Sequence, residues 1–215
     1  MLDNQQTVST PKPKGDKYYG RVAEIYNKKR ERQGWWHVEH EEMRQLLAKL
    51  PKKLKVVDIP FGTGRFVPLY HERNFKISGL EISPHMVEAA KTDLGKQFDG
   101  CDVRIGSSTD IPFDDGAFDL VVSTRFLSNI ITYADARATL AEFSRVTKKY
   151  GIIQLGHNVG DTSDPALDQT MDTIMSKKAV DALLKEFGFK VKERRKVLEG
   201  PAKGGEMHHI LCEKI

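Results

Sequence analysis

"KVVDIPFGTGRF", Lys55 to Phe66, is the stretch that decides the fold. Apolar residues flank Asp58, and Gly62 and Gly64 then sit one residue apart with Pro60 just ahead of them. A short apolar run that breaks into glycines reads as a buried strand entering a tight turn, since glycine takes backbone angles that a Cβ forbids. A helix over Arg65 to Arg73 is expected directly after it. Strand, glycine turn and helix in that order open a parallel α/β sheet. Such sheets hold ligands in the crevice beyond the carboxyl ends of their strands, where strand order reverses.

The alternation continues outward. "FKISGLEI" from Phe75 reads as the second strand, and Ser83 to Leu94 as a helix with Ser83 as N-cap and Pro84 in its first turn. "CDVRIGS" from Cys101, "FDLVVST" from Phe118 and "YGIIQLGHN" from Tyr150 supply further strands, with a helix over Asp135 to Val146 before the last of them. Ser176 caps a helix that runs to Phe187. "GFKVKERRKV" and "EMHHILCEKI" then close the chain with no helix between them, which predicts an antiparallel pair at one edge. Upstream, Tyr19, Val22, Ala23 and Tyr26 line one face of a helix, and a second helix covers Val38 to Leu50, stopped by Pro51. Trp35 and Trp36 between them read as anchors of that helix pair in the core. The expected fold is therefore α/β: a Rossmann-like, doubly wound sheet of seven strands, mostly parallel with an antiparallel last strand, and helices on both faces.

Composition bounds the rest. A chain of 215 residues buries one good core and is short for two, so residues 17–215 read as a single domain behind a polar, flexible tail of residues 1–16. The net charge of +4 permits an anionic partner without demanding one, and the basic runs "PKKLK" at Pro51 and "KERRK" at Lys192 read as solvated surface. Nucleic acid is a partner that the charge allows and does not favour. Cys101 and Cys212 lie in strand-like contexts without metal or redox spacing, which suggests reduced thiols. Neither a membrane-spanning run nor the apolar core of a signal peptide is expected, so the reading is a cytoplasmic protein with no membrane partner.

The glycine turn and two acids suggest what the crevice holds. Asp58 ends the first strand and Glu81 the second, and an acid at the second position commonly takes both hydroxyls of a ribose. A dinucleotide loop would carry a third glycine three residues on from Gly64, but Val67 stands there. A looser pattern, an acid ahead of spaced glycines, fits better and suits a nucleoside bearing a cationic or amino group.

"VVDIPFGTGRF", "GLEISPHMVEAA", "GSSTDIPFDDGAFDLVVS" and "FSRVTKKYGIIQLGHN" resemble the successive motifs of the class I S-adenosylmethionine-dependent methyltransferases, in order and in spacing, over Lys55 to Asn158. "SKKAVDALLKEFGFKVKE" and "MHHILCEK" resemble that family's last helix and strand pair. In detail the likeness is to small-molecule enzymes of methyltransferase type 11. The resemblance implies S-adenosylmethionine as cofactor, with Gly62, Thr63 and Gly64 under its methionine part, Asp58 near its amino group and Glu81, followed by Ile82, at its ribose. It also implies an N-terminal helical lid at 17–50, a cofactor-binding core at 51–158, and a substrate-side segment with closing strands at 159–215.

Two positions depart from the family pattern. Pro60 replaces the first loop glycine, which fixes φ and removes an amide donor, as in a subtype of the family. Ser107 stands where an acid usually meets the adenine amino group, so Ser107, Ser108 or Asp110 can serve there, and Ser123 ends the fourth strand beside the cofactor. "YYGRVAEIY" is similar to a helix that lids the cofactor in small-molecule methyltransferases, which would bring Tyr19 or Tyr26 to the methionine end, followed by Arg30.

Methyl transfer from a sulfonium is an in-line displacement with a good, neutral leaving group. Aligning the acceptor and excluding water does most of the work, and a base is needed only where the acceptor must lose a proton. "STRFLSNI" after the fourth strand lacks the Asn or Asp followed by two prolines that marks nitrogen methylation of bases and amides, and neither cysteine follows a proline. The favoured partner is a small-molecule methyl acceptor, with RNA or protein methylation and a non-catalytic cofactor-binding regulator as alternatives. His157 is the candidate base, and Arg125 and Asn129 are candidates to orient the acceptor. His208 and His209 point to opposite faces of a strand without an evident third ligand, so no metal is expected. Val159 to Met175 is the expected substrate-selecting lid, while the acceptor and the oligomeric state are not written in these residues.

Overall fold

The computed structural model describes residues 18–127, 133–158, 176–199 and 205–215. The expected tail, Asn129 and the expected lid at Val159 to Met175 lie outside these residues. The chain runs α1 (Arg21–Glu24), α2 (Tyr26–Arg30), α3 (Gly34–Ala48), β1 (Lys55–Asp58), α4 (Val67–Glu72), β2 (Lys76–Glu81) and α5 (Pro84–Leu94). It continues through β3 (Asp102–Ile105), β4 (Phe118–Ser123), α6 (Tyr133–Val146), β5 (Thr147–Asn158), α7 (Lys177–Glu186), β6 (Phe189–Glu199) and β7 (Gly205–Lys214).

All seven strands form one sheet in the order β3-β2-β1-β4-β5-β7-β6. β1 to β5 pair in parallel, and β7 enters antiparallel between β5 and β6. Strand order reverses between β1 and β4, so the carboxyl ends of those two strands and of β2 frame the crevice.

The near-continuous apolar runs of the central strands follow from having a core on each face. Val57, Val121 and Ile153 pack with Leu140 and Phe143 of α6 and Leu183 and Leu184 of α7. Their immediate neighbours Val56, Leu120, Val122 and Ile152 pack on the opposite face with Met43, Leu46 and Leu47 of α3 and with α4. Because side chains alternate along a strand, successive residues must satisfy two cores, and no polar-out alternation is left.

Local signals fix the helix starts. Ser83 Oγ accepts from the Met86 amide at 3.4 Å, and Ser176 Oγ from the Ala179 amide at 3.2 Å, as their positions ahead of apolar-periodic segments predict. α3 begins at Gly34, earlier than the expected Val38, so both tryptophans belong to its first turn. The N-terminal helix divides into α1 and α2 at Ile25.

Candidate active site

The turn after β1 is shaped by its two glycines in different ways. Gly62 lies at φ +56° and Gly64 at φ +69°, both in the region that disfavours side chains. A Cβ on Gly62 would meet only Met86 Cε at 3.7 Å, which leaves its backbone open to the crevice. A Cβ on Gly64 would come to 2.6 Å from Leu94 Cδ1 and 3.0 Å from the Phe61 ring, so that glycine serves packing beneath the turn. Gly79, in the middle of β2, is as important and was not among the expected residues: a Cβ there would lie 2.3 Å from Phe61 Cδ2. The available signal was a glycine inside an otherwise apolar strand, which marks close approach of another group. Pro60, whose peptide with Ile59 is cis, lines the crevice.

Glu81 clamps this turn from the neighbouring strand. Its Oε2 accepts from the Gly62 amide at 2.8 Å and its Oε1 from the Ser83 amide at 3.0 Å. Burial raises its pKa above the ordinary carboxylate range, opposed by the backbone amides of Ser83, Gly62 and Ile82. Each carboxylate oxygen keeps a second lone-pair direction, so the clamp leaves acceptor capacity facing the crevice. Asp58 sits deeper and accepts from the Tyr70 hydroxyl at 2.9 Å. Burial pushes its pKa up to about 8, with the Tyr70 bond opposing, Glu81 adding to the rise and Arg65 opposing it. Asp58 is thus a largely neutral acid at pH 7 that a cation placed beside it would ionise.

A cleft of about 390 Å³ opens over these groups. Asp58, Pro60, Gly62, Thr63, Glu81 and Ile82 line its floor and one side. Gly106, Ser107, Ser108 and Thr109 form the far end. There the Ser107 hydroxyl is shared with Thr109 Oγ1 at 2.8 Å, and Ser108 Oγ with Thr139 Oγ1 at 2.9 Å, while Asp110 is exposed and does not line the cleft. Ser123 also lies behind the wall, buried, its hydroxyl without a hydrogen-bond partner among the described residues. Tyr26 lines the cleft, but Tyr19 does not, because its ring packs edge-on against His85 at 5.3 Å. Tyr18 takes the inward place and meets Tyr26 edge-on at 5.8 Å.

The N-terminal segment is wired into the turn. Thr63 Oγ1 donates to Asn27 Oδ1 at 2.6 Å, and Ser83 Oγ donates to the Tyr18 carbonyl at 2.9 Å. Arg65 leaves the turn to stack on Trp36, 3.6 Å from its ring centre, and to donate to Glu39 Oε2 at 2.7 Å. Glu39, wholly buried on α3, was not anticipated and is the hub of this wall. Its Oε1 accepts from Gln154 Nε2 at 2.7 Å and lies 3.7 Å from Arg125 Nη1. Gln154 in turn accepts from the Arg125 amide at 2.6 Å, which holds Arg125 at a φ of +57° with its guanidinium 4.2 Å over Trp35. Arg125 therefore lines the cleft, on a strained backbone fixed from behind. A glutamate within an apolar helical stripe was the one sequence signal for Glu39, and such residues are buried only when paired.

The structure does not bring His157 to the cleft-lining residues. It is buried between β5 and β7, stacked on His208 at 4.3 Å, with Glu206 Oε2 at 3.8 Å from its Nε2. The register that pairs His157 with Glu206 and Leu155 with His208 turns these side chains to the α6 and α7 side of the sheet. His209 faces the other side and meets the Glu39 carbonyl at 3.2 Å.

Residues 57–155 match the family model described as "Methyltransferase domain" (Methyltransf_11). The malonyl-[acyl-carrier protein] O-methyltransferase of Serratia marcescens is 28% identical over 100 residues, 46% of this chain and 36% of that protein. The ubiquinone/menaquinone biosynthesis C-methyltransferase of Campylobacter jejuni is 26% identical over 117 residues, 51% of this chain and 47% of that protein. The matched part thus spans less than half the length of either relative. Among solved structures, the magnesium protoporphyrin IX methyltransferase of Synechocystis PCC 6803 with bound SAM superposes with a TM-score of 0.67 at 13% identity, covering 97% of this chain and 100% of that one. That likeness is one of fold. The family match covers the end of β1, the glycine turn and both acids, and residues 57–155 are a methyltransferase domain of the class I S-adenosylmethionine-dependent type.

Proposed function

We propose that this protein transfers the methyl group of S-adenosylmethionine to a small-molecule acceptor by in-line displacement. The observation that carries the reading is the pairing of Glu81, clamped to the Gly62 amide, with Asp58 beneath one cleft at the point where strand order reverses. The arrangement suits a sulfonium nucleoside. Glu81 has lone pairs for the ribose hydroxyls, Gly62 and Thr63 expose backbone to the amino-acid end, and Asp58 awaits an ammonium. Ser107 and Ser108 border the place left for the base, and Tyr26 the place left for the methionine carboxylate. The cofactor supplies the electrophilic methyl group; the chain's residues hold it, orient an acceptor and exclude water.

A small-molecule acceptor is supported by the named substrates of the curated relatives and by a cleft of about 390 Å³. Arg125 is the residue assigned to orienting an acceptor carboxylate or carbonyl, because it lines the cleft on a backbone fixed by Gln154. The proposal keeps the division into an N-terminal lid at 17–50, a core at 51–158 and a substrate-side segment beyond it. It places the protein in the cytoplasm, on the support of two free thiols, Cys101 and Cys212. Among the described residues no helix is long and apolar enough to cross a membrane.

Calorimetric titration with S-adenosylmethionine and with S-adenosylhomocysteine tests the cofactor site. Release of S-adenosylhomocysteine in the presence of a panel of carboxylic, phenolic and quinol acceptors then tests transfer. Binding of neither nucleoside overturns the proposal. Binding without turnover across the panel removes transfer to acceptors of these classes.

A further inference from the structure

We infer that His157, Glu206 and His208 form a site for a single late first-row divalent metal ion, Zn²⁺ being the best fit, that ties β5 to β7. The candidate ligand atoms of the three residues all lie within 4.8 Å of one another. The Nε2 atoms of His157 and His208 stand 3.8 and 3.4 Å from the same oxygen, Glu206 Oε2. The edges of a tetrahedron with metal–ligand bonds of about 2.0–2.1 Å are roughly 3.3 Å long, so these separations are close to those of ligands around one ion. Two imidazoles and a carboxylate also make a donor set suited to zinc, with a fourth position left for water or another donor.

Hydrogen bonding does not account for the cluster. Both histidines are 7% exposed, and the Nδ1 of each is buried without a hydrogen-bond partner among the described residues. It is the Nε2 of each ring that lies toward Glu206, so an ion held there leaves the Nδ1 atoms as they are, and the site rests on the Nε2 to Oε2 geometry.

The surrounding charges bear on affinity. Lys196 holds Glu206 Oε1 at 2.8 Å and Glu199 at 2.7 Å, and Lys177 and Arg194 add positive potential that opposes a cation. Lys196 leaves Oε2 free, and its half-exposed ammonium is screened by solvent. The two rings are stacked with planes 25° apart, so both must rotate about χ2, opening to roughly 5 Å between centres, before their lone pairs converge on one ion. Both rings sit on adjacent antiparallel strands in fixed register, which limits the movement to the side chains.

The test uses full-length protein stripped with a chelator and titrated with ZnCl₂ by calorimetry and with CoCl₂ by visible absorption. The expected result is one equivalent bound with micromolar or tighter affinity, and an intense tetrahedral Co²⁺ spectrum. H157N, H208N and E206Q each weaken binding roughly a hundredfold, while H37N at the surface does not. E206Q changes a partly exposed side chain and keeps the comparison informative should a histidine variant fold poorly. Zinc should also raise the melting temperature of the wild type and not of E206Q. No binding below about 100 µM, or binding that survives all three substitutions, overturns the inference. S-adenosylmethionine affinity measured with and without chelator should be equal, which keeps this test separate from that of the cleft.

Discussion

Asp58 provides a direct test of how the cleft receives its cofactor. With its pKa near 8, this carboxyl is about nine-tenths protonated at pH 7 in the free protein. Seating the α-ammonium of S-adenosylmethionine beside it reverses the balance of burial and charge and brings its pKa back toward the ordinary 3.8. Binding at pH 7 should then release about 0.9 proton, read by calorimetry as the slope of binding enthalpy against buffer ionisation enthalpy. Affinity should rise about tenfold per unit between pH 6 and 7 and level near pH 8, where the ligand's own amino group begins to lose its proton. D58N should bind more weakly, release no proton and lose the pH slope. 5′-Methylthioadenosine, which lacks the amino-acid end, should bind wild type without release. The same shift has a sign in stability: the contribution of a carboxyl whose folded pKa is raised is fully present below about pH 3.8 and is lost as pH rises toward 8, so ligand-free D58N should gain on wild type across that window. Tight binding of S-adenosylmethionine at pH 7 with enthalpy independent of buffer would refute the placement of the ammonium against Asp58.

Three further substitutions address the frame around the cleft. E39Q removes the charge opposite the mostly buried Arg65 and should cost about 3–5 kcal/mol in urea denaturation, while E39Q combined with R65M should cost less than E39Q alone. G79A forces a Cβ against the Phe61 ring and should cost about 1–3 kcal/mol by thermal melting, with part of the loss recovered in a G79A and F61L double variant. S83A removes the cap of α5 and the bond to the Tyr18 carbonyl, so it should cost about 1 kcal/mol and speed amide exchange over Tyr18 to Ile25.

The sheet was legible because each of its signals is local. Val56 and Val57 face opposite cores, and such continuous apolar runs between glycine turns and N-capping serines have few other readings. The floor of the cleft was legible for the same reason, since Asp58 and Glu81 end strands, and Gly62 follows the first of them, at places in the sheet that follow from the alternation. What the sequence concealed depends on pairs distant along the chain. Glu39 and Gln154 lie 115 residues apart and meet only after α3 packs on the sheet against β6 and β7. Tyr18 and not Tyr19 faces the cleft because the chain enters α1 through Gly20 at φ +55°, a turn that a helical wheel drawn from Tyr19 does not contain. Glu206 joins the two histidines only through the β5 and β7 register, which a single strand cannot reveal.

The cleft wall and the glycine turn behave as one mechanical unit. Three contacts tie them: Thr63 to Asn27, Arg65 to Glu39, and Ser83 to the Tyr18 carbonyl. Each starts from a residue whose backbone neighbours are set by the turn or by the cap of α5, and each ends on the segment before β1. Glu39 extends the chain of contacts through Gln154 to Arg125, so a group assigned to the acceptor and a turn assigned to the cofactor share one buried carboxylate. A buried charge of this kind contributes little net stability against an apolar replacement. Its value here lies in geometry, because it draws two arginines from different loops, Arg65 and Arg125, to one carboxylate. Under the proposed function alignment matters more than any proton-transferring group, so a carboxylate that faces neither ligand bears on transfer through the arginines it holds.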